Sequence, residues 1–245
     1  MAGRARLVAT VRTDLIVLPG LGDGAFSWTG VLPPHAVVLD RLGHTGPFTL
    51  DGETARIARA ATRPPVLVAH SMAACYAEAY ARLHPVTGLV LVDPSYEDQA
   101  RTRAPGVPNW AAWLSRPAVA WRLGPALWSA LAVAQTRTTV PRHIRHRARR
   151  YYRDPRVVAS AVAEYFAYDD VNAQLIALRA RTQAPDVPVV VLAATPAGVP
   201  VPDLGQVRLT ALFPHAELRV LPGCGHLIHL DRPGAVRAAI AAVEE

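Results

Sequence analysis

The stretch Val66-Leu-Val-Ala-His-Ser-Met-Ala-Ala74 decides the fold of this chain. Its first three residues are apolar and follow two prolines, a pattern typical of a strand that is buried on both faces of a parallel sheet. Residues 75–83 then have the composition of a helix. Ser71 is therefore predicted to lie at the tip of a sharp turn between strand and helix, where its hydroxyl is lifted out of the sheet.

The turn is a loosened form of the G-x-S-x-G nucleophile elbow, with Ala69 and Ala73 in place of both glycines. Small residues are needed there because the turn is strained and because the strand and the helix pass close together. The helix N-terminus also directs N–H groups toward any negative charge that develops beside the serine. A buried serine in an ordinary turn explains the pentapeptide equally well, so the rest of the chain must separate the two interpretations.

Composition indicates a globular protein of 245 residues, 51% hydrophobic and 18% charged, most simply one domain with an insertion. Its formal charge of +7 comes from arginine, because the chain contains no lysine. No basic motif interleaved with aromatic residues supports a nucleic-acid partner. Residues 1–13 lack an apolar segment of signal-peptide length, and no apolar run approaches the roughly 18 residues that span a bilayer. We therefore expect a cytoplasmic protein with neither a nucleic-acid nor a membrane partner.

Short apolar runs alternate with helical patterns along most of the chain. Strands are expected at residues 15–18, 36–39, 66–68, 88–92, 187–192 and 218–221, and helices from residue 25, at 51–62, after the elbow and at 232–244. This alternation predicts an α/β fold with a mainly parallel, doubly wound sheet. Functional residues should then lie at the carboxyl ends of the strands.

The pattern changes at residues 104–184, where strand-like runs are absent and prolines interrupt helical segments. We expect this span to be an inserted helical lid over the elbow, between core segments 1–103 and 185–245. Its four tryptophans are expected to form the lid core, and they are Trp110, Trp113, Trp121 and Trp128. The strongly basic stretch 141–150 is either a solvated face or a docking patch for an acidic partner or an anionic substrate.

Three polar residues follow predicted strands in the order serine, aspartate, histidine. Ser71 lies in the elbow, Asp93 follows residues 88–92, and His226 follows residues 218–221. This is the chain order of the triad that follows a G-x-S-x-G elbow, in which the histidine activates the serine and the carboxylate orients the histidine. The order favours the catalytic interpretation of Ser71 over the structural one.

At this point the chain resembles the α/β-hydrolase superfamily over nearly its whole length. The segments that carry the resemblance are residues 18–21, 69–73, 88–94 and 223–233, of which the last, Gly-Cys-Gly-His-Leu-Ile-His-Leu-Asp-Arg-Pro, is the most specific. The resemblance implies that Ser71 is the nucleophile and His226 the general base. It also implies that Leu21 and Met72 supply backbone N–H groups to an oxyanion hole. His70 and His229 are the local rivals of His226.

The acid of the triad is the least certain assignment, because the carboxylate expected after residues 187–192 is missing from residues 193–200. Some members of the superfamily place it after the preceding strand, which is the position of Asp93. The alternative for Asp93 is a turn or helix-cap role before a proline. The other candidate acids are Asp203, Glu97 and Asp98.

The resemblance implies a serine hydrolase that acts on an ester, lactone or related acyl compound through an acyl-enzyme. It implies no cofactor and no metal. The aromatic content of the lid suggests a small, apolar substrate. The alternatives are a thioesterase or C–C bond hydrolase that uses the same triad, and a non-catalytic ligand-binding protein of the same fold. The two elbow alanines and the displaced acid motivate the last alternative.

Overall fold

A computed structural model describes residues 14–44, 46–101, 106–199 and 201–244. Its centre is a six-stranded sheet in which every pair of neighbours is parallel, in the order β2-β1-β3-β4-β5-β6. The strands are β1 (Leu15–Leu18), β2 (Val37–Val38), β3 (Val66–His70), β4 (Gly88–Val92), β5 (Val189–Thr195) and β6 (Ala216–Pro222). Residues 1–13, for which the sequence predicts no signal peptide, lie outside the described residues.

The helices are α1 (Leu50–Ala60), α2 (Ala73–Leu83), α3 (Asn109–Ala112), α4 (Pro117–Gln135), α5 (Arg142–Tyr151), α6 (Pro155–Arg179), α7 (Leu204–Thr210), α8 (Ile228–Asp231) and α9 (Pro233–Glu244). A 3-10 helix at Trp113–Ser115 links α3 to α4.

Helices cover both faces of the sheet, because its central strands are apolar on both sides. Every residue of β1, β3 and β4 is buried. Alternate strand residues enter two separate clusters: Leu67 packs on one face with residues of α1 and α2, and Val68 packs on the other with residues of α9. The predicted α/β fold with a parallel, doubly wound sheet is confirmed.

The helix expected from residue 25 is wrong, since residues 25–30 form turns. Asp23 and Asp40 hold this segment with their side chains. The Asp40 carboxylate accepts a hydrogen bond from the Ala25 N–H (3.0 Å), and Asp23 accepts one from the Ser27 hydroxyl (2.8 Å). The backbone bonds of the segment join residues three apart, Ser27 N–H to the Gly24 carbonyl and Trp28 N–H to the Ala25 carbonyl, which gives successive turns and no α-helix.

The helical segment between β4 and β5 contributes to two different hydrophobic clusters. The carboxyl-terminal half of α6, including Val171 and Leu175, belongs to the sheet core beside α2. The amino-terminal half of α6 and α4 and α5 form a separate cluster. The expectation that the four tryptophans form the lid core is wrong for three, because only Trp128 is buried and the other three are 44–69% exposed.

Candidate active site

Ser71 lies at the tip of a strained turn between β3 and α2. Its φ of 57° falls in the left-handed region, which non-glycine residues seldom adopt. Hydrogen bonds hold the turn: the Ser71 N–H donates to the Val92 carbonyl (3.0 Å), and the Ala74 N–H donates to the Ser71 carbonyl (3.1 Å). The alanines before and after the turn are fully buried. The local structure thus has the strand, strained turn and helix of a nucleophile elbow.

His226 connects Ser71 to Asp93. Its Nε2 lies 2.9 Å from Ser71 Oγ, and its Nδ1 lies 2.5 Å from Asp93 Oδ2. A carboxylate only accepts hydrogen bonds, so Nδ1 carries the proton and donates to Asp93. Nε2 is then free to accept the Ser71 hydroxyl proton. The arrangement can transfer a proton from the serine to the imidazole and stabilise the resulting positive charge.

The loop that carries His226 is held by Asp231. The Asp231 carboxylate accepts hydrogen bonds from the Gly225 N–H (2.7 Å) and from the N–H groups of Arg137 and Thr138 (2.8 and 3.1 Å). Four hydrogen bonds, including one from the Thr138 hydroxyl, hold the pKa of Asp231 below its usual value despite partial burial. Asp231 lies within the motif at residues 223–233, but no role for it was predicted from the sequence.

Asp93 reaches His226 across the neighbouring strand. Its φ of 42° is also left-handed, which turns the chain out of β4. The second carboxylate oxygen, Oδ1, accepts hydrogen bonds from the Ala194 N–H of β5 (2.9 Å) and from the Gln206 side-chain amide (2.7 Å). Two donors therefore fix the carboxylate over the end of β5. Gln206 was missed in the sequence, where nothing distinguishes it from other polar residues of a short helix.

The rival carboxylates are engaged elsewhere. Asp203 caps the N-terminus of α7 through the Gly205 N–H (2.6 Å). Glu97 lies 3.6 Å from Arg101, and Asp98 forms an ion pair with Arg208. Of the candidate acids, the structure brings Asp93 into contact with His226.

The rival histidines are buried behind the elbow. His70 Nε2 lies 3.0 Å from the His226 carbonyl oxygen, to which it donates, because a carbonyl has no proton to give. His229 stacks on Trp28 with ring centroids 4.3 Å apart. Burial lowers the pKa of both imidazoles, that of His229 to about 3. Both are therefore neutral at physiological pH, and His70 ties the elbow to the histidine loop.

Asp23, His70 and His229 form a buried group whose ligand atoms all lie within 4.8 Å of one another, close enough to be considered for a metal ion. The Asp23 oxygen nearest His229 (3.4 Å) already accepts hydrogen bonds from Ser27 and from the Trp28 indole (2.8 and 3.2 Å). Burial raises the pKa of Asp23 to about 6. These bonds satisfy Asp23, whereas neither ring nitrogen of His229 has a hydrogen-bond partner among the described residues, so the group is a partly bonded polar network beneath the elbow.

This network predicts a specific acid sensitivity. In the unfolded chain His229 has the ordinary pKa of about 6.5, whereas burial in the folded protein lowers its pKa to about 3. Stability from this residue is thus present above pH 6.5 and lost as the pH falls toward 3. In urea unfolding at several pH values, His229→Phe should reduce the pH slope by up to about 1.4 kcal/mol per pH unit. An unchanged slope would show that His229 titrates normally in the folded state.

The loop after β1 lies directly against the elbow. A side chain at Gly20 would come within 2.5 Å of His70 Nδ1 and 3.2 Å of Ser71 Cβ, so only glycine permits this approach. The next residue, Leu21, is partly exposed, and Met72 precedes the first residue of α2. The structure thus places both predicted oxyanion donors in segments that adjoin Ser71.

Two carbonyl groups of this loop accept hydrogen bonds from side chains, one from Arg41, which also contacts α6, and one from Tyr152. Buried Arg41 donates from Nη2 to the Pro19 carbonyl (2.5 Å) and from Nε to Glu164 of α6 (2.5 Å). The Tyr152 hydroxyl donates to the Gly22 carbonyl. The loop is therefore fixed on both sides of Leu21 by side chains that no local sequence pattern associates with it.

A cavity of about 470 Å³ opens beside the histidine. Its walls combine the ring of Tyr168 with polar and acidic groups, among them Ser95, Asp93 and His226. The cavity borders His226 on its Asp93 side, and Ser71, Leu21 and Met72 are not among the residues that line it. Many of its lining residues are polar, whereas the composition of the lid suggested an apolar substrate.

Fold and site together define a class of α/β proteins in which a serine at a strained turn, a histidine and an aspartate meet at the carboxyl edge of a parallel sheet. A model of the alpha/beta hydrolase family matches residues 15–239, and the chain belongs to this family. The resemblance inferred from the sequence is confirmed. The chain has no significant match among curated proteins.

Solved structures of similar fold include Cfl2 from Burkholderia cenocepacia, with a TM-score of 0.67, 18% identity, and coverage of 96% of this chain and 89% of that one. MenH from S. aureus gives 0.61, 20% identity, and coverage of 96% and 95%. An N-acyl homoserine lactone degrading enzyme gives 0.62, 18% identity, and coverage of 94% and 93%. At these identities the likeness establishes the shared fold.

Proposed function

We propose that this protein is a serine hydrolase that cleaves an ester, lactone or related acyl bond of a small substrate through an acyl-enzyme. The observation that carries the proposal is the continuous hydrogen-bond chain from Asp93 through His226 to Ser71. A serine with a purely structural role requires neither a left-handed backbone nor contact with an imidazole that a carboxylate holds. Strain of this kind is concentrated at functional sites.

In the proposed reaction, Ser71 Oγ attacks the acyl carbon while His226 Nε2 takes its proton. Asp93 stabilises the imidazolium, and the N–H groups of Leu21 and Met72 face the oxyanion. His226 then protonates the departing alcohol. A water molecule, deprotonated by the same histidine, hydrolyses the acyl-enzyme and regenerates Ser71.

The substrate class is inferred from the site and from related folds. An N-acyl homoserine lactone degrading enzyme has this fold, which suggests that it can accommodate lactone cleavage. The cavity beside His226, with its tyrosine and carboxylate walls, fits a compact molecule that contains polar groups better than a purely hydrocarbon one. Thioester and C–C bond cleavage on the same triad remain competing reactions for the assay.

The proposal predicts that the purified protein reacts covalently with a fluorophosphonate probe and hydrolyses short p-nitrophenyl acyl esters. Labelling requires an activated serine, so it does not depend on knowing the substrate. A parallel panel of a homoserine lactone, an acyl thioester and an ester, compared by kcat/KM, identifies the preferred acyl bond. Absence of both labelling and turnover in folded protein would instead support a ligand-binding role.

A further inference from the structure

Positive charge is concentrated in one part of the helical segment. Residues 116–153 contain nine arginines and no aspartate or glutamate, whereas the whole chain has a formal charge of +7. The rest of the chain is therefore slightly acidic. All nine arginines are exposed. Helix α5 rests on the protein through buried Ile144 and Ala148, one helical turn apart, and directs its arginines outward.

An exposed apolar face lies beside this charge. Helix α4 has a single charged residue, Arg122, among 19 residues, although much of its surface is exposed. Its exposed large apolar side chains are Trp121, Leu123, Leu127, Leu131 and Val133, the last 71% exposed. With 1.5 Å of rise per residue, these side chains extend over roughly 18 Å along the helix. Contiguous exposed apolar surfaces of this kind mark interaction sites.

The two surfaces meet at Trp121. A cavity of about 580 Å³ between them is lined by Trp121, Arg149 and Arg153, among others. The Arg153 guanidinium lies over the Trp121 ring, 5.3 Å from its centroid. Arginine and tryptophan thus share one groove, in which an anionic group can bind while neighbouring side chains contact hydrocarbon.

We infer that α4 and α5 form a surface that binds anionic lipid membranes. An exposed aliphatic helix bordered by arginines and tryptophan is the composition that lies in the plane of a lipid interface. Nucleic acid or an acidic protein would satisfy the arginines but offers no general counterpart to the leucines of α4. Among the described residues, no helix could cross a bilayer. The expectation of no membrane partner was drawn from the absence of such a span and did not address surface binding.

The surface adjoins the candidate active site. The carbonyl of Gln135, the last residue of α4, accepts a hydrogen bond from the Leu227 N–H (3.1 Å). The next turn donates two backbone N–H groups to Asp231, the anchor of the histidine loop. A membrane bound to α4 would therefore lie next to the loop that carries His226.

The test is sedimentation of the whole protein with vesicles of phosphatidylcholine, with or without 30% phosphatidylglycerol. Wild type should bind the anionic vesicles and be released by high salt. The triple variant Arg145→Gln, Arg149→Gln, Arg150→Gln should bind on the order of 10²-fold more weakly, since each arginine near an anionic surface contributes about a factor of five. The double variant Leu127→Ser, Leu131→Ser should also lose binding.

A matched control removes three exposed arginines elsewhere, with Arg59→Gln, Arg181→Gln and Arg237→Gln, and should bind as wild type does. Circular dichroism and thermal unfolding establish that each variant is folded. Wild type that ignores anionic vesicles would overturn the inference. A leucine variant that binds the vesicles normally would also overturn it, because the arginines would then bind the vesicle charge without any contribution from α4. A wild-type dimer that the leucine variant converts to monomers, with neither bound to vesicles, would identify a self-association face instead.

Discussion

Replacement of Ser71 by alanine should reduce turnover of short acyl esters by a factor on the order of 10⁶ and abolish fluorophosphonate labelling. The loss is large because the reaction has no covalent intermediate without Oγ, and because His226 then has no hydroxyl to deprotonate. The fold should be retained. The left-handed turn is held by backbone hydrogen bonds to Val92 and Ala74, which the substitution leaves in place.

Ser95 provides the matched control for this prediction. Its N–H donates to the Ser71 carbonyl (3.2 Å), and it lines the cavity beside His226. Ser95→Ala should keep both labelling and most of the activity. Labelling that persists in Ser71→Ala and disappears in Ser95→Ala would move the nucleophile to Ser95 and contradict the assignment.

The sheet could be predicted because its strands carry their own signal. Residues 15–18, 66–68 and 88–92 are continuous apolar runs, and only a parallel sheet covered on both faces buries such runs completely. Ser71 and His226 were predictable for a related reason. Ser71 follows β3 directly and His226 lies in the loop after β6, and the carboxyl ends of parallel strands meet at one edge.

Other features depend on contacts between distant segments that no local pattern reports. Arg41 and Glu164 are 123 positions apart, yet they form a buried ion pair that supports the loop before Leu21. Gln206 and Asp93 are separated by 113 positions. Trp121 of α4 was expected to lie in the lid core, because tryptophan is usually largely buried, but it is 58% exposed. Nothing in the sequence of α4 indicates that one side of the helix faces outward.

The remaining large effect concerns Asp93, where asparagine should lower the acyl-transfer rate by a factor on the order of 10⁴ while stability changes little. The Ala194 N–H and the Gln206 amide both donate to the Oδ1 position, so the asparagine oxygen should occupy that position. Its NH₂ group then faces His226 Nδ1 and donates to it. This places the imidazole proton on Nε2, where it blocks acceptance of the Ser71 proton. Asp203→Asn, which changes a helix cap and one polar wall of the cavity but no contact of His226, should retain most of the activity. Near-wild-type rates for Asp93→Asn, or a comparable loss for Asp203→Asn, would show that Asp93 is not the acid that orients His226.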